Sequence, residues 1–286
     1  PRPFHPILAL EEPEAHLHPN AQRQLYQQLV SATGQKIVST HSPFVATQGD
    51  LSSIRHFSKD GSETTVSELD VSHEDPEDKR KLEREVLNTR GELLFARAII
   101  LFEGETEEQA LPIFAKKYFK CAPPELGMVF VGVGGDGKYL PFLHLAPSLN
   151  IPWFIFSDGE ESAKNTVEKA LKKIGTSLSD PAVEILPEGA SIEKYLIDQG
   201  YRPELEEMFL QECFTAQHRE SKKTELKNLS DDEIVDRIKA PKPKWAPKWS
   251  KIISELDDER RFPDAIENIF KTIANTLDIE VSGDTP

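Results

Sequence analysis

Acidic residues follow three of the strands that the sequence predicts, at the points where those strands end. Glu103 follows the apolar run AIILF, with Glu107 in the next turn, and Asp158 and Glu160 follow WFIFS on either side of a glycine. Glu193 comes after the shorter run VEILP. Ligands of parallel α/β sheets bind outside the carboxyl ends of the strands, so we expect these five carboxylates to lie close together.

Crowded carboxylates repel one another, and either protonation or bound cations relieve the repulsion. Oxygen ligands without nearby histidine or cysteine favour Mg²⁺, Mn²⁺ or Ca²⁺ over zinc, and such a set is large enough for two ions. Two ions would stabilise the attacking and leaving oxygens of phosphodiester cleavage. A helix-capping role is the alternative for Glu107, because TEEQ at residues 106–109 is also typical of the first turn of a helix.

The segment GVGGDGKY, from Gly132 to Tyr139, matches two phosphate-binding patterns at once. It fits GxGxxG of dinucleotide-binding folds and GxxxxGK of a P-loop. A P-loop needs Ser or Thr after its lysine, and Tyr139 cannot replace that small hydroxyl. The neighbouring acids would repel a pyrophosphate unless metal ions intervened. A tight turn is one interpretation of the segment, and a nucleotide-binding loop, with Asp158 on the ribose, is the other.

A basic segment lies at residues 237–251 of a chain whose net charge is −15. The overall charge argues against nucleic-acid binding, because phosphate affinity comes from lysine and arginine. In this segment, however, basic residues surround two tryptophans and no acid occurs. We expect Lys239, Lys248 and Lys251 to contact DNA phosphates, with base stacking on a tryptophan as a further contribution. A solvated basic face that the tryptophans anchor to the core is the alternative.

The elements that must position these residues follow from hydrophobic patterning. From residue 98 to about 198, apolar runs without alternation are each followed by a helical pattern, which predicts a parallel sheet covered on both faces. Residues 201–276 read as entirely helical. The charge-dense residues 73–90 predict an exposed helix that connects two domains.

The first seventy residues predict a smaller set of elements. ILAL at residues 7–10 and KIVST at residues 36–40 read as buried strands, with a helix from about Asn20 to Ala32 between them. The Asp60-Gly61 pair lies in an alternating stretch and predicts a β-hairpin.

Composition limits the location and the class of the protein. Cys121 and Cys213 have no spacing typical of zinc ligands or of a disulfide scaffold, which favours a reducing cytoplasm. No apolar run approaches the length of a membrane span, so we expect no membrane partner. The first residues contain neither Met nor a signal sequence, and the chain reads as cut from a longer protein.

Taken in order, EGETE, a glycine-rich turn, SDGE and SIEKY resemble the Toprim domain shared by topoisomerases, primases and certain nucleases. The segment LNTRGELLFARAIILFEGETEEQALPIFA is similar to the OLD (overcoming lysogenization defect) family of nucleases, in which an ABC-type ATPase precedes a Toprim nuclease. The resemblance loosens after about residue 200. It implies a bacterial α/β protein with a Toprim parallel-sheet domain and a helical subdomain, preceded by a partial ABC-type ATPase α/β segment.

The resemblance extends to the ATPase segment. ILALEEPE resembles a Walker B strand, in which Glu11 would serve the Mg²⁺ of the nucleotide and Glu12 the attacking water. Aspartate is usual at the first of these positions. IVSTHSPFV resembles the switch segment in which His41 would sense the γ-phosphate. ATP would bind only to the full-length protein, which we expect to be a homodimer.

The resemblance also implies the domain boundaries. The expected parts are residues 1–72 as the end of the ATPase domain, 73–96 as the connecting helix, 97–200 as the Toprim catalytic domain and 201–286 as the helical subdomain with the basic stretch.

Within the Toprim match, all five acids would bind metal, Mg²⁺ or Mn²⁺. Glu103, Glu107 and Asp158 would hold one ion, and Asp158, Glu160 and Glu193 would hold the other. The sequence thus predicts a metal-dependent DNA endonuclease that works by two-metal hydrolysis.

The resemblance further implies a lysine of the helical region that stabilises charge on the cleaved phosphate. Lys242 and Lys244 are equal candidates for it. Two alternatives to the nuclease remain open. One is a Toprim DNA enzyme that does not hydrolyse, similar to a primase or a topoisomerase, and the other is a regulatory nucleotide-binding module.

Overall fold

The computed structural model describes residues 7–69, 76–87, 90–134, 138–239, 244–257, 260 and 262–281. The chain forms two compact units. The N-terminal unit lies within residues 1–96 and 144–151, and the C-terminal unit within residues 97–143 and 152–286. In the part of the chain described, no helix has the length and apolar character that crossing a bilayer requires.

The N-terminal unit begins with two parallel strands joined by a helix. These are β1 (Ile7–Glu11), α1 (Pro19–Ser31) and β2 (Gln35–Ser39). The two strands pair in register from Ile7 with Gln35 to Glu11 with Ser39. Pro19 suits the first position of α1, where its missing N–H has no intrahelical partner to lose. Both predicted strands and the predicted helix are confirmed, and the short helix α2 (Pro43–Ala46) follows them.

The predicted hairpin is also confirmed. Strand β3 (Arg55–Asp60) pairs with strand β4 (Glu63–Glu68) in antiparallel register. Gly61 in the turn has a φ of 55°, which only glycine adopts without strain.

The segment predicted to be an exposed connecting helix is helical over residues 76–87 and is buried at some positions. Helix α3 (Pro76–Leu82) runs into a π-helical turn at Glu83–Leu87, and a 3₁₀ turn follows at Gly91–Phe95. Leu82 and Val86 are buried, as are Leu93 and Leu94. The few apolar residues of this charged segment thus face inward, and dense charge on the other faces hides this pattern in the composition.

The C-terminal unit is built on a four-stranded parallel sheet, as predicted. Its strands are β5 (Ala98–Phe102), β6 (Met128–Gly132), β7 (Trp153–Ser157) and β8 (Val183–Ile185), in the order β6-β5-β7-β8. Every residue of β5 is buried, as expected for a central strand with both faces covered. The crossover helices are α4 (Glu105–Phe119), α5 (Tyr139–Ser148) and α6 (Glu161–Lys173).

Six helices complete the C-terminal unit, and the helical prediction for residues 201–276 is confirmed in the part described. They are α7 (Ile192–Leu196), α8 (Arg202–Cys213), α9 (Ala216–Lys227), α10 (Asp231–Lys239), α11 (Ala246–Ser254) and α12 (Asp264–Leu277). They share one hydrophobic core with the sheet. Trp249 of α11, for example, packs on Phe114 of α4, with ring centroids 6.2 Å apart.

Candidate functional site

The carboxyl edge of the sheet gathers the acids that the sequence singles out. Strands β5 and β7 are adjacent and parallel, with Leu101 opposite Ile155, so their carboxyl ends lie at the same edge. Glu103 leaves the first of these strands, and Asp158 leaves the second. The expected meeting of these two strand ends follows directly from the parallel register.

Glu107 lies at the start of α4 and folds back toward the strand end. Its side chain is buried, and a Cβ on Gly104 would collide with Glu107 Oε2. The missing side chain of Gly104 thus makes room for the carboxylate beside the backbone. After burial, the charge of Glu107 is the next cause that raises the pKa of Asp158, which follows the neighbouring strand β7.

Gly159 lets a second loop approach the turn that carries Asp158 and Glu160. Its backbone N–H donates to the Ala190 carbonyl over 2.8 Å, and its carbonyl accepts from the Gly189 N–H over 2.8 Å. A Cβ at Gly159 would collide with carbonyl oxygens of the loop that follows β8. The glycine is therefore required for these two segments to lie against each other.

The loop braced by Gly159 leads into α7, which places Glu193 at the same edge. Glu193 is buried, and its Oε1 accepts a hydrogen bond of 3.3 Å from the Thr106 hydroxyl in the first turn of α4. This bond links the fourth strand end to the first. Glu193 also raises the pKa of Asp158, so it belongs to the same cluster.

The carboxylates of this cluster carry like charges and are partly removed from water, and both effects favour the protonated form. Burial, followed by Glu107, Glu193 and Glu160, raises the pKa of Asp158 to about 8. Burial and then Glu160 raise the pKa of Glu103. Asp158 Oδ1 and Glu103 Oε2 are buried without a hydrogen-bond partner among the described residues. Such oxygens need either a proton or a cation.

Sequence reasoning missed Tyr139 as a member of this site. The residue begins α5, and its side chain is fully buried. Burial raises the pKa of its phenol most, Glu103 raises it further, the neighbouring Ser157 hydroxyl lowers it, and Asp158 raises it. The only signal in the sequence is its position after the lysine of the glycine loop, where a P-loop has a hydroxyl residue.

Among the predicted lysines that the structure describes, Lys239 is the one brought to the acids. It is the last residue of α10, and its Nζ lies 3.9 Å from Glu160 Oε1. Its charge also lowers the pKa of Asp158. This residue was expected to contact DNA rather than to meet the carboxylates.

The other predicted lysines lie elsewhere or outside the described residues. Lys244 is exposed and acts on the pKa of Cys213, and Lys248 forms an ion pair with Glu212. Lys251 is exposed on α11. Lys242 lies outside the described residues.

The tryptophans of the basic segment are core residues. Trp245 and Trp249 are both buried. Trp245 packs edge-to-face on Phe209, with ring centroids 5.2 Å apart. The expected base stacking on a tryptophan is therefore wrong for this conformation, because neither ring offers a free face to a base.

The donor set fits a hard divalent cation, since it consists of carboxylate oxygens, two of which are buried and have no partner within the described ranges. Among the described residues, however, no three His, Cys, Asp or Glu side chains lie close enough to enclose an ion. Binding therefore requires the carboxylates to move toward one another.

The N-terminal unit brings its own predicted residues together at the end of β1. Glu11 ends the strand, and His41 Nε2 lies 3.5 Å from Glu12 Oε1. Sequence reasoning missed Glu14, which is buried and accepts a hydrogen bond from the Thr40 hydroxyl. A hydrogen bond thus joins the turns that follow the two parallel strands.

Comparison with known families agrees with these two sites. Residues 94–159 match the family described as "Overcoming lysogenization defect protein-like, TOPRIM domain". Residues 1–47 match an AAA domain family whose description names the AbiEii toxin and a Type IV TA system.

Two curated relatives match about half of the chain. An OLD nuclease of Thermus scotoductus is 31% identical over 164 residues, which are 52% of this chain and 30% of the relative. The uncharacterized protein YbjD of Escherichia coli is 26% identical over 159 residues, which are 56% of this chain and 28% of the relative. The chain thus matches less than a third of the length of either relative.

Solved structures of similar chains are C-terminal regions of OLD proteins. The region from Burkholderia pseudomallei has a TM-score of 0.45 and 19% identity, covering 64% of this chain and 99% of that one. The region from Xanthomonas campestris has a TM-score of 0.47 and 17% identity, covering 65% and 96%. The family matches confirm the resemblance that the sequence motifs predict, since residues 94–159 match an OLD-like Toprim domain and residues 1–47 match an AAA domain.

Proposed function

We propose that the C-terminal unit is a divalent-cation-dependent endonuclease that cleaves phosphodiester bonds of DNA. The observation that carries the proposal is the meeting of acids from three strand ends at one sheet edge, where Glu107 and Glu193 are buried and two carboxylate oxygens have no hydrogen-bond partner among the described residues. The name of the Thermus scotoductus relative, OLD nuclease, supports the same activity.

Mg²⁺ or Mn²⁺ are the expected cofactors, with Ca²⁺ as an alternative, because the donors are all carboxylate oxygens. Glu103, Glu107 and Asp158 would hold one ion, and Asp158, Glu160 and Glu193 would hold a second. Bound there, the ions would lower the pKa of an attacking water and neutralise charge on the leaving oxygen.

The side chains of the protein have three tasks in this proposal. Asp158 gives up its proton when positive charge arrives, because burial and like charges rather than hydrogen bonds keep it protonated. Thr106 orients Glu193 through its hydroxyl. Glu107 and Glu193 are buried, so water screens the charges of these two ligands less than it would at the surface.

Lys239 is our candidate for the cation that stabilises the cleaved phosphate. It reaches the acids from the C-terminal end of α10, and its partner Glu160 is exposed, so both groups are accessible to a phosphate of DNA. Lys242 and Lys244 remain candidates from the sequence, although Lys244 lies near Cys213. Lys248 and Lys251 remain predicted contacts to DNA phosphates.

The N-terminal unit is proposed to be part of an ATP site. Glu11 and Glu12 would serve the metal ion and the attacking water, and His41 would sense the γ-phosphate from its position beside Glu12. The homodimer of the full-length protein and the cytoplasmic location also remain predictions.

Conversion of supercoiled plasmid to nicked and linear forms tests the proposed activity. The chain should cut with Mg²⁺ or Mn²⁺ and not in EDTA. Asp158→Asn should abolish cutting, and Lys239→Gln should slow it on the order of a hundredfold, as expected for removal of one electrostatic contact to the reacting group.

Lys172→Gln is the matched control, because Lys172 also pairs with a helix glutamate but lies on the exposed face of α6. It should cut like the unchanged chain. No cutting in either metal would contradict the proposal for this chain and favour a Toprim enzyme that does not hydrolyse DNA. Equal rates for Lys239→Gln and Lys172→Gln would remove Lys239 from the mechanism.

A further inference from the structure

Tyr139 places a phenol near the acids at the carboxyl edge of the sheet. Tyr139 is the first residue of α5 and has 0% of its side chain exposed. It follows Gly132 and Gly134, the described glycines of a segment that matches two phosphate-binding patterns. Its hydroxyl lies among the acids, since Glu103, Glu107 and Asp158 all act on it.

Three buried polar atoms of this cluster have no hydrogen-bond partner among the described residues. They are Tyr139 Oη, Glu103 Oε2 and Asp158 Oδ1. A phenol has one hydrogen to donate, whereas an ionised carboxylate can only accept. Buried polar groups are normally paired. The Tyr139 hydroxyl could therefore donate a hydrogen bond to one of the two carboxylate oxygens.

The two acceptors are not equivalent for the phenol. Glu103 is the acid that acts on Tyr139 most strongly, ahead of Glu107 and Asp158. Ser157 is buried beside the Tyr139 hydroxyl, and its own hydroxyl donates to the Asp158 carbonyl over 3.3 Å. Among the described residues, Glu103 Oε2 and Asp158 Oδ1 are thus the buried acceptors near the phenol that lack a donor.

We propose that Tyr139 is a positioning residue of the cation site, whose hydroxyl donates a hydrogen bond to the Glu103 carboxylate and fixes the orientation of that ligand. The inference rests on the proposed function, because it concerns the same site with a cation bound. Partners of this kind orient metal ligands, and losing one typically weakens metal binding ten- to a hundredfold. Tyr139, which stands where a P-loop has Ser or Thr, would then orient a neighbouring acid.

Tyr139→Phe tests the proposal, because phenylalanine fills the same space and removes only the hydroxyl. We expect the Mn²⁺ dissociation constant, measured by titration calorimetry, to rise by about tenfold. We expect the thermal midpoint in EDTA to stay equal or to rise, since the lost hydroxyl has no hydrogen-bond partner among the described residues. Plasmid cutting should recover at high Mn²⁺ concentration.

Tyr118→Phe is the matched control. Tyr118 is a buried tyrosine of the same unit at the opposite end of α4, among the rings of Phe119 and Phe262. Its replacement should leave the Mn²⁺ dissociation constant unchanged.

The possible failures are distinguishable. If the unchanged chain binds no Mn²⁺, the proposed function fails and the positioning role fails with it. If it binds Mn²⁺ and Tyr139→Phe binds equally well, only the positioning role is overturned. A lower thermal midpoint in EDTA without a change in Mn²⁺ binding would also overturn it, by showing a purely structural tyrosine.

Discussion

Asp158 holds a proton more readily than an exposed aspartate does. Burial raises its pKa most, and Glu107, Glu193 and Glu160 add to the effect, while Lys239 opposes it. The ionised form therefore lacks enough positive charge around it in the folded protein. A divalent cation would supply that charge. The protonation of Asp158 should therefore affect both the stability of the folded protein and the binding of the proposed cation.

In EDTA, we expect the C-terminal unit to lose stability as the pH rises. Asp158 has an ordinary pKa of 3.8 and a folded value of about 8, so the folded state holds an extra proton between these values. Over that window the free energy of unfolding should fall by at most about 1.4 kcal/mol per pH unit from this residue. Urea denaturation followed by tryptophan fluorescence measures the effect, because all three tryptophans lie in this unit.

Asp158→Asn cannot hold the proton, so its stability should depend less on pH in the same window. Glu168→Gln is the control, since Glu168 pairs with Lys172 on the outer face of α6, and it should keep the original dependence. Identical slopes for the unchanged chain and Asp158→Asn would show that this aspartate titrates normally.

The acids of the site could be predicted at the level of single residues, whereas Tyr139 could not. Glu103 and Asp158 follow apolar strands, and the ends of parallel strands meet for topological reasons alone. The place of Tyr139 depends on how α5 packs over the sheet. The glycine pattern before it directs attention to phosphate binding, not to a buried phenol.

The part of the site that holds Asp158 and Glu193 depends on the contact between two segments of the chain. The turn at Gly159 and the loop before α7 exchange two backbone hydrogen bonds, and this contact sets where Glu193 lies relative to Asp158. Backbone placed against backbone leaves no space for a side chain between them. The glycine is thus a requirement of the packing between the two segments.

We expect Gly159→Ala to disable the site and to destabilise the C-terminal unit. A methyl group at this position would separate the two segments, at a cost of about 1–3 kcal/mol, typical of inserting atoms into a well-packed region. Plasmid cutting should be lost, because Glu193 would move away from Asp158. The free energy of unfolding and the cutting rate are the two quantities to measure.

Gly175→Ala provides the comparison. Gly175 has a φ of 76° and open space around it, so alanine there brings backbone strain without a collision. It should destabilise the unit but preserve cutting. If Gly159→Ala cuts as fast as Gly175→Ala, the contact between the two segments is not needed for the site.

Elements whose residues are buried on both faces could be predicted well from the sequence. Strand β5 is a continuous apolar run because both of its faces are covered. The end of α10 is a different case. Spacing alone does not say which of several lysines in a helical region turns toward the sheet, because tertiary packing of α10 decides it.

The charge of the whole molecule opposes the proposed substrate. A net charge of −15 repels DNA, and several basic groups already have acidic partners, among them Lys239 and Lys248. Binding of two divalent cations at the carboxylate edge would offset most of the negative charge of its five acids where the phosphate must lie. The site thus couples metal binding to DNA binding in this proposal.

The most direct test of the central claim is a titration of the chain with Mn²⁺ that counts bound ions by electron paramagnetic resonance. The unchanged chain should bind two ions, and Asp158→Asn should lose both, since Asp158 is the ligand that the two proposed positions share. Glu168→Gln should bind like the unchanged chain. If Asp158→Asn binds Mn²⁺ as the unchanged chain does, or if neither binds it, the carboxylate edge is not a metal site and the proposed nuclease mechanism is wrong.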